Sequence, residues 1–280
     1  MIKIGYYIIF SLLISCSNYG QLKFVTALPG KLDECSGIVP AGKDGIWVVE
    51  DHGNADNLYR VNFRGELVKN FEVTNVDNED WEDLTVDESG NLYIADTGNN
   101  GLDRQEFNIY KLPDPSVEKG DKIPAETIKF RYPWDSTIKE GYTHDSEALF
   151  YADRHLYVLT KNRMQPFDGK TYIYKIPSTP GRYTAELVGS LQLCEDRRVC
   201  VVTAASLSPD GSKLVLLGYG KLWVLSDFTG DSFDEGAMDM IDLGASTQLE
   251  SLCFKDGKTL LLADEERAGS GGNLYEFTLP

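Results

Sequence analysis

An all-β ring of five four-stranded sheets, its last sheet closed by the N-terminal strand, is the architecture this sequence predicts. Three observations predict it. First, a short phrase of a small or acidic residue followed by apolar ones recurs along the chain. It reads Cys35-Ser36-Gly37-Ile38, Trp81-Glu82-Asp83-Leu84, Ser146-Glu147-Ala148-Leu149, Ala204-Ala205-Ser206-Leu207 and Leu249-Glu250-Ser251-Leu252. Second, each copy is followed by two strand-like apolar runs, and periodicity of this kind outranks any single motif. Third, the last unit stops one strand short, while a strand candidate without a unit precedes the first.

The elements follow in order. The second runs are Ile46–Glu50, Leu92–Ala95, Leu156–Thr160, Leu214–Leu217 and Leu260–Ala263. The third are Leu58–Phe63, Asn108–Leu112, Tyr172–Ile176, Lys221–Leu225 and Leu274–Leu279. Val68–Thr74, Glu126–Tyr132, Glu186–Leu193 and Met238–Leu243 supply a fourth strand to four units, and Lys23–Leu28 supplies it to the fifth. The repeat of about 53 residues matches one propeller blade, and closure by the N-terminal strand removes open edges. Turn pairs such as Asp210-Gly211, Asp256-Gly257 and Arg64-Gly65 separate the runs. Pro113–Pro124 and Pro133–Thr143 read as irregular connections. A five-bladed β-propeller is therefore expected, with a six-bladed ring as the alternative, although no sixth phrase is found.

The chain has 280 residues, 42 % hydrophobic and 11 % aromatic, enough for one large packed domain. Its formal charge of −17 argues against nucleic acid or anionic lipid as a partner. Residues 1–15 read as a signal segment, 16–21 as a tether and 22–280 as one propeller domain. The apolar run Ile4–Ile14 is too short for a membrane span. It ends Leu13-Ile14-Ser15-Cys16, which resembles the bacterial lipobox and implies cleavage before Cys16 and acylation of its sulfur. The expected location is the bacterial cell envelope: a monomer lipid-anchored to the outer membrane, facing the periplasm or the outside. In that oxidising compartment Cys194 and Cys200, which flank a short charged turn, are expected to form a disulfide. Strand parity turns Cys35 and Cys253 the same way around the ring, so both are expected as reduced core residues.

The first strand of each blade lines the central channel, so one phrase position per blade points at the axis: Ser36, Glu82, Glu147, Ala205 or Ser206, and Glu250. Converging carboxylates repel, and a bound cation or raised pKa values relieve the repulsion. Oxygen donors without thiols favour Ca²⁺. The loops after each second strand open on the same face. They carry Asp51, His52 and Asn54; Asp96, Asn99 and Asn100; Lys161, Asn162 and Arg163; Tyr219; and Asp264 and Arg267. His144 enters that face from a connection between blades.

The axial order Ser, Glu, Glu, Ser, Glu is similar to that of the calcium-activated apyrases, secreted five-bladed propellers with a central Ca²⁺. Trp47-Val48-Val49-Glu50-Asp51 with Leu58-Tyr59-Arg60-Val61, Glu79-Asp80-Trp81-Glu82 and His144-Asp145-Ser146-Glu147-Ala148 resemble that family's first three blades. The resemblance implies Ca²⁺ bound by Ser36, Glu82, Glu147, Ser206 and Glu250, and a phosphate-bearing substrate near Asp51, Lys161 and Arg163. Register with the other blades selects Ala205, so Ser206 reaches the axis only through a bulge. The Ser-Gly-Ile, Asp-Trp-Glu-Asp and Asp-Thr-Gly-Asn phrases also resemble uncharacterised bacterial lipoprotein propellers.

Three functions follow. The first is a Ca²⁺-binding module that captures a small molecule, glycan or protein ligand through Asn54, Asn99, Asn100, His144, Lys161, Asp264 and Arg267. The second is an apyrase-like phosphohydrolase in which Asp51, His52 or Asp96 activates water and Arg163 stabilises developing charge. The third is a metal-dependent, lactonase-like hydrolase. No nucleophile motif or phosphate-cradling glycine loop is present, so metal-activated water is the only chemistry available to an enzyme here.

Overall fold

Alternate residues of each strand face opposite neighbours, and this period of two builds the whole molecule. Trp47 and Val49 pack against the second blade, whereas Ile46 and Val48 pack against the fifth. A computed structural model of the chain describes residues 19–133 and 144–280. The signal segment with Cys16, and the connection Pro133–Thr143 beyond Pro133, lie outside the described residues.

Five sheets form the ring. Blade 1 contains Cys35–Pro40, Gly45–Glu50, Asn57–Asn62 and Leu67–Thr74. Blade 2 contains Trp81–Val86, Leu92–Asp96, Phe107–Leu112 and Glu126–Arg131. Blade 3 is built from Ser146–Ala152, His155–Thr160, Lys170–Pro177 and Glu186–Gln192. Blade 4 is built from Ala204–Leu207, Leu214–Gly218, Lys221–Ser226 and Ala237–Asp242. In blade 5, Leu249–Phe254, Thr259–Asp264 and Asn273–Thr278 are completed by the N-terminal Lys23–Ala27, paired antiparallel to Asn273–Thr278. The five-bladed ring and its closure are as expected, and the six-bladed alternative is excluded.

Pro113–Pro124 is not irregular throughout. Lys122–Pro124 adds a short parallel strand to the outer edge of blade 1, and Gly181–Thr184 does the same for blade 2. Each stitch comes from a later blade, so it covers an open edge and ties neighbouring sheets together.

Five apolar clusters occupy the five blade interfaces. The largest fully buried side chains include Trp81, Trp223, Tyr93, Tyr174 and Tyr275. Burying one Leu or Phe stabilises by roughly 1.5–3 kcal/mol, so the interfaces hold the ring rigid around its channel. Cys194 and Cys200 are joined by a disulfide with a Cα–Cα separation of 5.5 Å. Cys35 and Cys253 are reduced and buried between blades 5 and 1.

Candidate metal and ligand site at the mouth of the ring

The inner strands of four blades carry a bulge at the same place. Register shifts fall between Cys35 and Gly37, Trp81 and Asp83, Ser146 and Ala148, and Leu249 and Ser251. The residues left unpaired are Ser36, Glu82, Glu147 and Glu250, all buried and all lining one cavity of about 400 Å³. A bulge re-aims a side chain, and here it aims these four into the mouth of the channel.

Blade 4 has no such bulge, and its strand pairs regularly from Ala204 with Leu217. Without the extra residue, neither Ala205 nor Ser206 reaches the mouth. Both line a separate cavity of about 700 Å³ together with Leu84 and Phe254, and Ser206 Oγ accepts from the Phe254 amide at 3.2 Å. Thr203 takes the mouth position instead and donates to the Leu249 carbonyl at 2.9 Å. The signal was available: Thr203 is the polar residue directly before the regular run.

The mouth has two unlike walls. On the blade 3 side, Lys161 is paired with Glu147, and Arg163 reaches Asp145 at 2.5 Å and Glu147 at 3.3 Å. Arg163 also donates to Asn100, and Lys161 lies over the Tyr219 ring at 5.6 Å. Tyr219 donates to Glu250 at 2.9 Å. Burial alone would lower the Lys161 pKa, but the charges of Glu147 and Glu250 overcome it and hold the ammonium well above its ordinary range.

On the blade 1 and 2 side, Asp51, Asp80 and Glu82 bring carboxylate oxygens within 4.8 Å of one another. At that distance and an effective dielectric near 20, each ionised pair costs about 3 kcal/mol. Burial first, and the Asp51 carboxylate second, push the Asp80 carboxyl up to about 7. Burial, with the charges of Glu147 and Asp51 added, holds Glu82 well above the usual range. Among the described residues, Ser36 Oγ, Asp80 Oδ1 and Glu82 Oε1 are buried without a hydrogen-bond partner. Gly98 closes this pocket from behind, since a β-carbon there would collide with the carboxylates of both Asp80 and Glu82. Such a set of hard oxygens fits a Ca²⁺-type cation.

The remaining sequence candidates divide cleanly. Asp51, Asn100, Lys161, Arg163 and Arg267 line the cavity. Arg267 donates to Gln248 at 2.6 Å, and Gln248 donates to Glu265, whose carboxyl is raised to about 8 by burial and by Glu250. His52 sits exposed beside the acids, its Nδ1 on the Glu79 carbonyl. Asn54 bonds Glu34 at 2.7 Å and does not line the cavity. Asn99 is buried and organises its own loop, bonding Asp145, His144, Asp103 and Arg104. His144 stacks on Tyr132 and bonds the Tyr174 hydroxyl at 2.8 Å; burial lowers its pKa to about 4. That places it in an aromatic packing cluster, not at the mouth.

Asp96 and Asp264 are struts, not mouth residues. Asp96 accepts from Tyr110 at 2.8 Å, from Asn108 at 3.3 Å and from the Asp80 amide at 3.0 Å, and pairs with Arg104 at 3.1 Å. Asp264 accepts from Tyr275 and from the Asn273 amide, both at 2.8 Å. Each pins the end of a second strand to an Asn-x-Tyr on the third. The repeated Asn57-Leu58-Tyr59, Asn108-Ile109-Tyr110 and Asn273-Leu274-Tyr275 would have revealed the device.

One buried acid was overlooked. Asp83, one residue beyond the mouth, accepts from the Leu84 amide at 2.7 Å and from the Leu149 amide at 2.8 Å. It thereby links the inner strands of blades 2 and 3.

No protein-family model and no curated protein sequence matches the chain. Among solved structures, it is similar to the PQQ-bound aldose sugar dehydrogenase of Streptomyces coelicolor. Identity there is 12 %, coverage is 92 % of this chain and 97 % of that one, and the TM-score is 0.54. A gluconolactonase of Xanthomonas campestris matches at 10 % identity over 94 % of this chain and 88 % of that one, with a TM-score of 0.49. Virginiamycin B lyase of Staphylococcus aureus matches at 14 % identity, 90 % and 69 % coverage and a TM-score of 0.44. At these identities the kinship is one of fold: the chain is a five-bladed member of the β-propeller architecture.

Proposed function

We propose that this protein is a lipid-anchored propeller of the bacterial envelope that holds Ca²⁺ among the acids of its mouth and captures a ligand there. The observation that carries the reading is the repeated bulge: four blades interrupt their pairing to turn Ser36, Glu82, Glu147 and Glu250 into one cavity. A channel that only needed filling would be served by regular strands and apolar side chains. The ligand is a small polar molecule, a glycan or a protein segment, with an anionic or oxygen-rich group that reaches both the cation and the Lys161, Arg163 and Arg267 side of the cavity. The anchor is the acylated Cys16, and the protein acts as a monomer without nucleic acid.

A thermal melt of the full-length protein in detergent, with excess Ca²⁺ against excess EGTA, tests this reading. Ca²⁺ at about 100 times its dissociation constant stabilises by roughly 2.7 kcal/mol, a rise of several degrees. No shift with any divalent ion would remove the cation and the reading with it.

A second reading is favoured by one arrangement: Asp51 belongs to the acid cluster and His52 follows it, with Lys161 and Arg163 lining the same cavity as Asp51. A bound cation would polarise a phosphoryl or acyl oxygen, Asp51 or His52 would take a proton from water, and the cations would meet developing charge. This is the apyrase-like or lactonase-like hydrolase. Ca²⁺-dependent release of phosphate from ADP, or opening of an aldonolactone, would support it, and no turnover of either would leave the binding module.

A further inference from the structure

The two walls of the mouth differ in what neutralises them, and the difference locates the cation. Glu147 and Glu250 already have a cation. Lys161 pairs with Glu147, its charge is felt by both acids, and Arg163 adds a second contact to Glu147. An ion on the axis between these acids would have to displace a buried ammonium. Glu82 lies within 4.8 Å of both groups, with Asp145 and Glu147 on one side and Asp51 and Asp80 on the other, but on the latter side, among the described residues, no cation forms an ion pair. Asp51, Asp80 and Glu82 converge within 4.8 Å, and among the described residues none of the three forms an ion pair with Lys, Arg or His at up to 4 Å. An independent observation points to the same spot. Ser36 Oγ, a neutral donor-acceptor in blade 1, is buried and unpartnered, as are Asp80 Oδ1 and Glu82 Oε1 in blade 2. Buried polar atoms are almost always satisfied, so Ser36 Oγ and Glu82 Oε1, which line one cavity, and Asp80 Oδ1, in the acid cluster with Asp51 and Glu82, mark a missing partner that is not protein.

We infer that the mouth holds its divalent cation off the axis, on Asp51, Asp80, Glu82 and Ser36 between blades 1 and 2, while Lys161 serves as the fixed counter-ion of Glu147 and Glu250. The inference rests on the proposed function and refines it, because it replaces Glu147 and Glu250 as ligands with Asp51 and Asp80. All four donors are oxygens, which suits Ca²⁺ with its remaining positions filled by water or by an oxygen of the ligand. The cation then faces Lys161 and Arg163 across the cavity, so an anionic group would bind between a metal and a fixed ammonium. Gly98 belongs to the site as well, since any side chain there would push Asp80 and Glu82 apart.

Calorimetric titration of CaCl₂ into the full-length protein in detergent, with Asp51→Asn, Asp80→Asn, Glu147→Gln and Glu250→Gln beside the wild type, tests the assignment. Asp51→Asn and Asp80→Asn are expected to weaken Ca²⁺ at least tenfold, and Glu147→Gln and Glu250→Gln by less than about threefold. Asp51 is only half-buried, so its variant retains the fold even if Asp80→Asn does not, and a melt in EGTA checks each. Loss of binding in Glu147→Gln and Glu250→Gln, with Asp51→Asn unaffected, would place the ion on the axis and overturn the inference while sparing the proposed function. No Ca²⁺ heat from the folded wild type would overturn both.

Discussion

Asp96 and Asp80 are both buried carboxylates of blade 2, and they have opposite surroundings. Asp96 meets a phenol, an amide and a guanidinium, and its charge is fully used within the protein. Asp80 meets Asp51 and Glu82, retains an oxygen without a partner, and is pushed up to about 7. The first arrangement stabilises the fold. The second costs stability until something cationic arrives. Burial alone therefore does not distinguish a strut from a binding site; the satisfaction of the buried oxygens does.

The largest expected effect breaks the strut. Asp96→Ala leaves the Tyr110 hydroxyl and the Asp80 amide without their acceptor and strips one of two carboxylates from Arg104, and should cost about 3–5 kcal/mol in a denaturant melt. A much smaller effect on stability is expected at the mouth. Glu82→Gln removes the need to hold this buried carboxyl protonated and should change stability in EGTA at neutral pH by less than about 1 kcal/mol while abolishing the Ca²⁺-induced shift in melting temperature. A destabilised Glu82→Gln would mean that this carboxylate is satisfied by the protein after all. Tyr275→Phe removes one hydrogen bond to Asp264 and should cost about 1 kcal/mol, because the Asn273 amide still holds the acid.

The smallest effect is a pH slope. Unfolded glutamate loses its proton near about 4.3, whereas Glu265 in the folded mouth keeps its proton up to about 8. Between these values the folded state binds more protons, so the stability this group contributes is full at acid pH and is lost as pH rises toward 8. Glu265→Gln should flatten the fall in melting temperature from about pH 5 to 8, measured in EGTA.

The same contrast explains what could be read in the sequence. The strands and the ring closure were legible because period-two alternation and the recurring phrase are local signals. The mouth was legible in blades 1, 2, 3 and 5, where the ring residue stands two before the apolar Ile38, Leu84, Leu149 and Leu252. In blade 4 the absent bulge shifts the position to Thr203, a backbone event marked only by a polar side chain directly before the regular run. Asp96 and Asp264 were misassigned because their partners, Tyr110 and Tyr275, lie on the next strand, and turn-rich loops make every Asp look available. The pairing of Lys161 with Glu147 was equally hidden, since it depends on how deep in the channel each side chain ends.

The most direct measurement is an anomalous difference map from a crystal of the protein grown with Tb³⁺ in place of Ca²⁺. One strong peak is expected between blades 1 and 2, about 2.3–2.6 Å from oxygens of Asp80 and Glu82, with Lys161 still on Glu147. A peak on the axis between Glu147 and Glu250 with Lys161 displaced, or no peak in the mouth, would contradict it.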